Sequence, residues 1–164
     1  NENIKTFTLV YDSLKGNKAP TRVNYQLVYG SKIKYSLDSS INVSLFNDEV
    51  FLPSTKDSKV WCQLLNYENY VSYMGICFID DLSKNINKKY DLEIDIYDED
   101  KLIQQKHIKL SALDSYIISN KSIKSKSPFI WIFAKCKKPN LLMETFSFNK
   151  ISGNASGEHS FGSW

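Results

Sequence analysis

Near the end of the chain, Glu158, His159 and Ser160 are consecutive, and Phe161 and Trp164 follow closely. Acid–base catalysis by a histidine needs an orienting carboxylate and a nucleophile that face the same centre. Adjacent residues of a strand point to opposite faces, so these three side chains do not form a triad by themselves. The surrounding glycines and the two aromatic residues predict a small recognition loop, with Glu158, His159, Phe161 and Trp164 as candidate binding residues. A disordered or capping tail is the alternative.

The other histidine, His107, lies among lysines and a glutamine and is interpreted as a surface residue. The sequence contains no Gly-rich phosphate loop, no G-x-S-x-G nucleophile elbow and no H-E-x-x-H metal motif. A pair of glycosidase carboxylates needs only spatial proximity, so the sequence leaves that chemistry open. No catalytic residue is predicted, and an enzyme is a minor hypothesis.

An acidic turn, Asp98-Glu99-Asp100, could offer carboxylate oxygens to calcium. The segment LEIDIYDED that ends in this turn resembles the third calcium loop of the C-two membrane-binding sandwiches. The earlier acidic loop of that family has no counterpart here, and Lys106 stands where a further ligand would be expected. A solvated turn is the favoured interpretation, so Asp98 and Asp100 are weak calcium candidates, and no metal or cofactor is predicted.

The basic residues and the cysteines further narrow the possible functions. Arg22 is the only arginine among 21 basic residues, which disfavours sequence-specific recognition of nucleic acid. The lysine bias, with abundant Asn, Ile and Tyr, indicates an AT-rich coding genome. Cys62, Cys77 and Cys136 lack C-x-x-C spacing and lie in apolar runs. Buried free thiols are expected, and one disulfide with one remaining thiol is the alternative.

The elements that must position these residues are strands. From Tyr90 to Leu110 apolar and polar residues alternate on both sides of the acidic turn, which predicts a β-hairpin. Leucine and isoleucine residues are expected to share its buried face, namely Leu92, Ile94 and Ile96 before the turn and Leu102, Ile108 and Leu110 after it.

Other segments give less regular patterns. Phe129 to Ala134 is a continuous apolar run, predicted to be a central strand buried on both faces. Ser111 to Ser119 has the spacing of a short helix, and the Lys/Ser-rich segment from Asn120 to Ser127 is predicted to be a flexible, solvated loop. Ile4 to Tyr11 is expected to be the first strand.

About ten short strands separated by turns predict an all-β fold, a single antiparallel β-sandwich of immunoglobulin-like or jelly-roll type. Residues 1–150 are expected to form the sandwich, and residues 151–164, half of them Gly or Ser, an edge strand or a flexible tail. The apolar runs fall short of the ~20 residues of a transmembrane helix. The chain begins at Asn1, which suggests a processed or longer polypeptide.

The favoured function is a non-catalytic recognition module, an accessory or surface domain that binds a glycan or a protein partner through loops and exposed aromatic residues. The first alternative is an assembly subunit that pairs through a sheet edge or the C-terminal segment. A carboxylate-based, glycan-active hydrolase is the third hypothesis. Nothing in the sequence indicates a cellular location.

Overall fold

A computed structural model describes residues 24–31, 34–42, 57–78, 87–112, 114–137, 140–159 and 161–163, with the backbone alone for 24–42, 159 and 161–163. These ranges contain eleven strands: β1 Asn24–Ser31, β2 Lys34–Asn42, β3 Ser58–Leu65, β4 Tyr70–Phe78, β5 Lys89–Asp98, β6 Lys101–Ser111, β7 Tyr116–Ser119, β8 Phe129–Cys136, β9 Leu141–Asn149, β10 Ala155–His159 and β11 Phe161–Ser163. A 3₁₀ turn, Asn120–Ser122, follows β7.

Nine of these strands form two antiparallel sheets. One sheet has the order β10-β9-β4-β7 and the other β11-β3-β8-β5-β6, while β1 and β2 form a separate hairpin. The predicted all-β antiparallel sandwich is confirmed, and its immunoglobulin-like or jelly-roll type stays a prediction. In the described ranges no helix has the length and apolar character to cross a membrane. The predicted strand from Ile4 to Tyr11 lies outside the described residues.

The core lies between the two large sheets and is built by alternation. Leu92, Ile94 and Ile96 of β5 are buried as the sequence predicts, and Ile130 and Ile132 of β8 are fully buried beside them. Burying each such side chain stabilises the fold by roughly 1.5–3 kcal/mol. The facing sheet completes the core with further fully buried residues, namely Met74, Ile76, Ile118, Leu141 and Met143.

A β-bulge changes one predicted face of the hairpin. Ile96 pairs with Gln104 but Tyr97 pairs with Leu102, so β6 contains one extra residue between these pairs. The extra residue moves Leu102 to the outer face, where it is 47% exposed, whereas Leu110 is buried. The prediction that Leu102 shares the buried face of Ile108 and Leu110 is therefore wrong, because a bulge reverses the alternation.

The predicted helix from Ser111 to Ser119 is wrong as well. Its second half is β7, which pairs with β4 so that Ile118 stands opposite Met74 in the core. Helix-like spacing of three apolar residues is a weak local preference, and pairing with a neighbouring strand satisfies the backbone while burying Ile118.

The segment from Asn120 to Ser127 is held by hydrogen bonds rather than wholly solvated. The Asn120 side chain is buried, accepts a hydrogen bond from the Ser72 backbone N–H (3.1 Å) and donates to the Tyr70 carbonyl (3.3 Å). Asn66 donates to the Ser125 and Ser127 carbonyls at 3.2 and 2.9 Å. The lysines of the segment are exposed, so the loop prediction holds for their side chains but not for Asn120.

None of the three cysteines forms a disulfide in the structure. Cys62 and Cys136 are buried and Cys77 is partly buried, which agrees with the expectation of small apolar side chains over a disulfide. Burial, together with the nearby charge of Glu144, raises the pKa of the Cys77 thiol to about 11. Burial also raises the pKa of Cys62.

Replacing Asn120 with alanine should destabilise the fold by about 2–4 kcal/mol, because the Ser72 N–H and the Tyr70 carbonyl lose buried partners. Equilibrium denaturation measures the change, and Asn154→Ala at an exposed position is the control. Equal free energies of unfolding for Asn120→Ala and Asn154→Ala would contradict the role of this amide.

Alkylation of native Cys77 by iodoacetamide should be slow at pH 8. A thiol pKa of about 11 instead of 9.0 leaves roughly 100-fold less thiolate, the reactive species. Because the pKa is raised, the rate should keep increasing with pH above pH 9, as followed by mass spectrometry. Protein unfolded in guanidinium serves as the control, and a native rate that levels off near pH 9 would show an ordinary thiol.

Candidate functional site

The outer face of β8 carries large aromatic side chains that the core does not cover. Ile130 and Ile132 point into the sandwich, while Phe129 and Trp131 are half-buried on the other face and Phe133 is 42% exposed. The prediction that this strand is buried on both faces is wrong. Although β8 is central within its sheet, a sheet of a two-layer sandwich buries only one face.

Strand pairing extends these aromatic residues across three neighbouring strands. Trp61 of β3 is opposite Phe133, and Tyr97 of β5 is opposite Trp131. Ring centroids are 5.5 Å apart for Trp61–Trp131, 6.4 Å for Trp61–Phe133 and 5.4 Å for Tyr97–Phe133. These separations are typical of favourable tilted and edge-to-face ring contacts, so the rings support one another in place.

The four rings line an open cleft of about 740 Å³, which we call the aromatic cleft. Charged residues border the rings, and they are Lys59, Glu93, Asp95, Glu99, Asp100 and Lys135. The volume lies within the ordinary range for small-ligand sites, and aromatic walls with a few polar groups are characteristic of such sites.

Cross-strand pairs order the charged groups along the cleft. Lys59 and Glu93 both pair with Lys135, so the three form one row beside the aromatic rows. The Lys135 Nζ lies 3.9 Å from the Glu93 Oε2. Asp95 stands opposite Phe133, and its Oδ1 accepts a hydrogen bond of 2.7 Å from the Gln105 side chain. The second oxygen of Asp95 adds an acceptor next to an exposed ring.

The β5–β6 hairpin places further carboxylates at the end of the cleft. Asp98 and Lys101 pair, which leaves Glu99 and Asp100 as the two loop residues. Glu99 has a φ of +56°, a left-handed conformation that non-glycine residues adopt at a cost of roughly 1–2 kcal/mol. Ser125 donates a 2.7 Å hydrogen bond to Asp98 and ties the hairpin to the loop before β8.

The two calcium candidates have different surroundings. The Asp98 carboxylate accepts from Ser125, while Asp100 lines the cleft. Among the residues that the structure describes, no group of three or more His, Cys, Asp or Glu side chains could hold a metal ion.

The C-terminal segment crosses from one sheet to the other. Glu158 and His159 belong to β10 and pair with Thr145 and Glu144 of β9, whereas Phe161 belongs to β11 and pairs with Trp61. Glu158 is exposed. The structure thus assigns these candidate residues to different sheets and places the backbone of Phe161 opposite Trp61, which lines the cleft. Trp164 lies outside the described residues.

The sequence prediction misses Trp131 and Phe133 of the cleft because it assigns the whole apolar run from Phe129 to Ala134 to the core. A usable signal was present in β8, where isoleucine occupies both inward positions at 130 and 132, and aromatic rings occupy the alternate positions 129, 131 and 133. Such a division between aliphatic and aromatic residues at period two indicates two faces with different surroundings.

A chain truncated after Ile151 should have a Tm lower by about 10 °C or should aggregate. The truncation removes β10 and β11, so their backbone hydrogen bonds to β9 and β3 are lost and the edges of those two strands become unpaired. Thermal unfolding and light scattering measure both effects. A chain that ends at His159 loses β11 alone and should fall between the two. A fragment of residues 1–151 that melts with the full chain would instead indicate a dispensable recognition tail.

Comparison with known proteins finds no match to this chain among family models, curated proteins or solved structures.

Proposed function

We propose that this chain is a non-catalytic recognition module that binds a glycan chain in the aromatic cleft. The observation that carries the proposal is the set of partly exposed rings of Trp61, Tyr97, Trp131 and Phe133, bordered by carboxylates and lysines on the outer face of one sheet. Sugars present apolar C–H faces and polar hydroxyl edges. A surface with flat rings and hydrogen-bonding groups side by side matches both.

The shape of the aromatic surface favours a linear polymer over a single sugar. Phe129, Trp131 and Phe133 occupy alternate positions of β8, so their rings extend over about 13 Å at the usual rise of a strand. The Tyr67 ring contacts the Phe129 ring edge to face, with centroids 5.5 Å apart. Several sugar units could therefore contact successive rings along one strand.

The charged residues among the rings argue against a protein partner on this face. The centre of a protein–protein interface is depleted in Lys, Glu and Asp. Here Asp95 stands directly opposite Phe133, and Glu93 and Lys135 pair in the adjacent row. A glycan uses such groups, because its hydroxyls donate to carboxylates and accept from ammonium groups while water still reaches the rim.

Assembly through a sheet edge is less well supported. β6 is an outer strand of the five-stranded sheet, but it carries Lys101, Lys106 and Lys109 and contains the bulge next to the turn. Lysines and bulges are the usual protection of an edge strand against pairing with another chain.

Affinity electrophoresis in gels that contain single polysaccharides, followed by titration calorimetry with oligosaccharides, tests the proposal. Phe133→Ala should weaken binding about tenfold, since it removes an exposed stacking ring. Tyr73→Ala is the matched control, because Tyr73 is equally exposed at 42% but lies on the other sheet. Both variants should stay folded with similar Tm values a few degrees below that of the parent chain, because each loses a partly buried ring.

Three outcomes would contradict the proposal. Equal loss of binding in Phe133→Ala and Tyr73→Ala would place the glycan outside the cleft. Failure to bind any polysaccharide, together with a dimer that Phe133→Ala dissociates in sedimentation, would identify the face as a protein interface. Release of new reducing ends during the titration would identify an enzyme that uses cleft carboxylates such as Glu93 and Asp95.

A further inference from the structure

We infer that the glycan bound by the aromatic cleft carries free, protonated amino groups, as in a polymer of glucosamine units. The inference rests on the proposed glycan-binding function and adds the chemical class of the ligand. It follows from the charges that line the cleft and from where they stand relative to the exposed rings.

The cleft is acidic although the whole chain is basic. Among the residues that the structure describes, four carboxylates line it, those of Glu93, Asp95, Glu99 and Asp100, against the two ammonium groups of Lys59 and Lys135, a difference of two negative charges. The chain as a whole has a formal net charge of +3. The local charge of the cleft is therefore opposite in sign to that of the whole chain and favours a cationic ligand there.

All four carboxylates lie on β5 or on the turn that follows it. Lys135 faces Glu93 at 3.9 Å, and Lys59 lies on β3, two strands away from β5. Asp95, Glu99 and Asp100 remain on the β5–β6 hairpin, and Asp98 does not line the cleft because it is turned to Ser125. Among the residues that the structure describes, Lys59 and Lys135 are the lysines that line the cleft, and neither belongs to the hairpin.

Two aromatic rings lie beside these carboxylates, and Phe133 is the exposed one of the two. Phe133 is opposite Asp95, and the Tyr97 ring contacts the Phe133 ring at 5.4 Å. An ammonium group placed there would lie over an aromatic face and beside a carboxylate, and both contacts favour a cation. An N-acetyl group at the same position carries no charge, so the favourable contacts of a cation with the aromatic face and with the carboxylate would both be lost. A neutral hydroxyl would keep only the hydrogen bond.

The experiment compares three oligosaccharides of equal length and linkage, built from glucosamine, N-acetylglucosamine or glucose. Titration calorimetry is performed in mildly acidic buffer, where the sugar amine is protonated, at low and at high salt. The glucosamine oligomer should bind about tenfold more tightly than the other two at low salt, and the preference should shrink as salt is added.

The variants Asp95→Asn and Glu99→Gln keep the shape of the cleft and remove two of its negative charges. Together they should abolish most of the tenfold preference, whereas the affinity for the glucose oligomer should fall much less, because a neutral hydroxyl loses only the charge on its hydrogen-bond acceptor. Asp114→Asn, at an exposed carboxylate that does not line the cleft, should change neither affinity.

The outcomes separate this inference from the proposed function. Equal affinity for all three oligomers, or a preference that survives Asp95→Asn with Glu99→Gln, overturns the inference and leaves the glycan module standing. Failure of all three oligomers and of the polysaccharide gels overturns the proposed function itself. Oligolysine that binds as tightly as the glucosamine oligomer and depends on the same carboxylates would show that the cleft recognises a basic peptide instead.

Discussion

The alternation of β8 between its two neighbours is the constraint on which both the core and the cleft depend. Its inward residues Ile130 and Ile132 are fully buried, and the same register sets Trp131 and Phe133 on the outer face. β3 and β5 hold that register from both sides. A slip of one residue would expose the isoleucines and bury the aromatic rings, so the stability of the sandwich also maintains the cleft.

A second constraint fixes the end of the cleft through polar contacts. The buried Asn120 side chain makes hydrogen bonds to the backbone at the start of β4. Asn66 donates to a carbonyl of the loop before β8, and Ser125 of the same loop donates to Asp98. This series of contacts joins the two sheets and anchors the hairpin that carries Glu99. Because buried polar groups are costly when unpaired, each of these contacts restrains the next.

The cleft and the C-terminal segment are linked by backbone pairing. β10 extends the four-stranded sheet and β11 extends the five-stranded sheet, so the final residues connect both layers on one side of the sandwich. β11 pairs with β3 at Trp61, one of the cleft rings. The segment predicted as a recognition loop therefore contributes to the site by pairing with the edge of the sheet, next to the residues that we propose to contact the ligand.

The sequence by itself determined most of the strands and one face of the core, because period-two alternation is a local property and Leu92, Ile94 and Ile96 express it without interruption. It also indicated the β5–β6 hairpin and the free thiols. The tertiary structure decided what a sequence pattern does not contain. A bulge moved Leu102 outward, strand pairing converted the predicted helix into β7, and the aromatic cleft arose where three strands distant in sequence became neighbours. An aromatic residue is compatible with a core or with a binding surface, and only the position of the second sheet distinguishes the two.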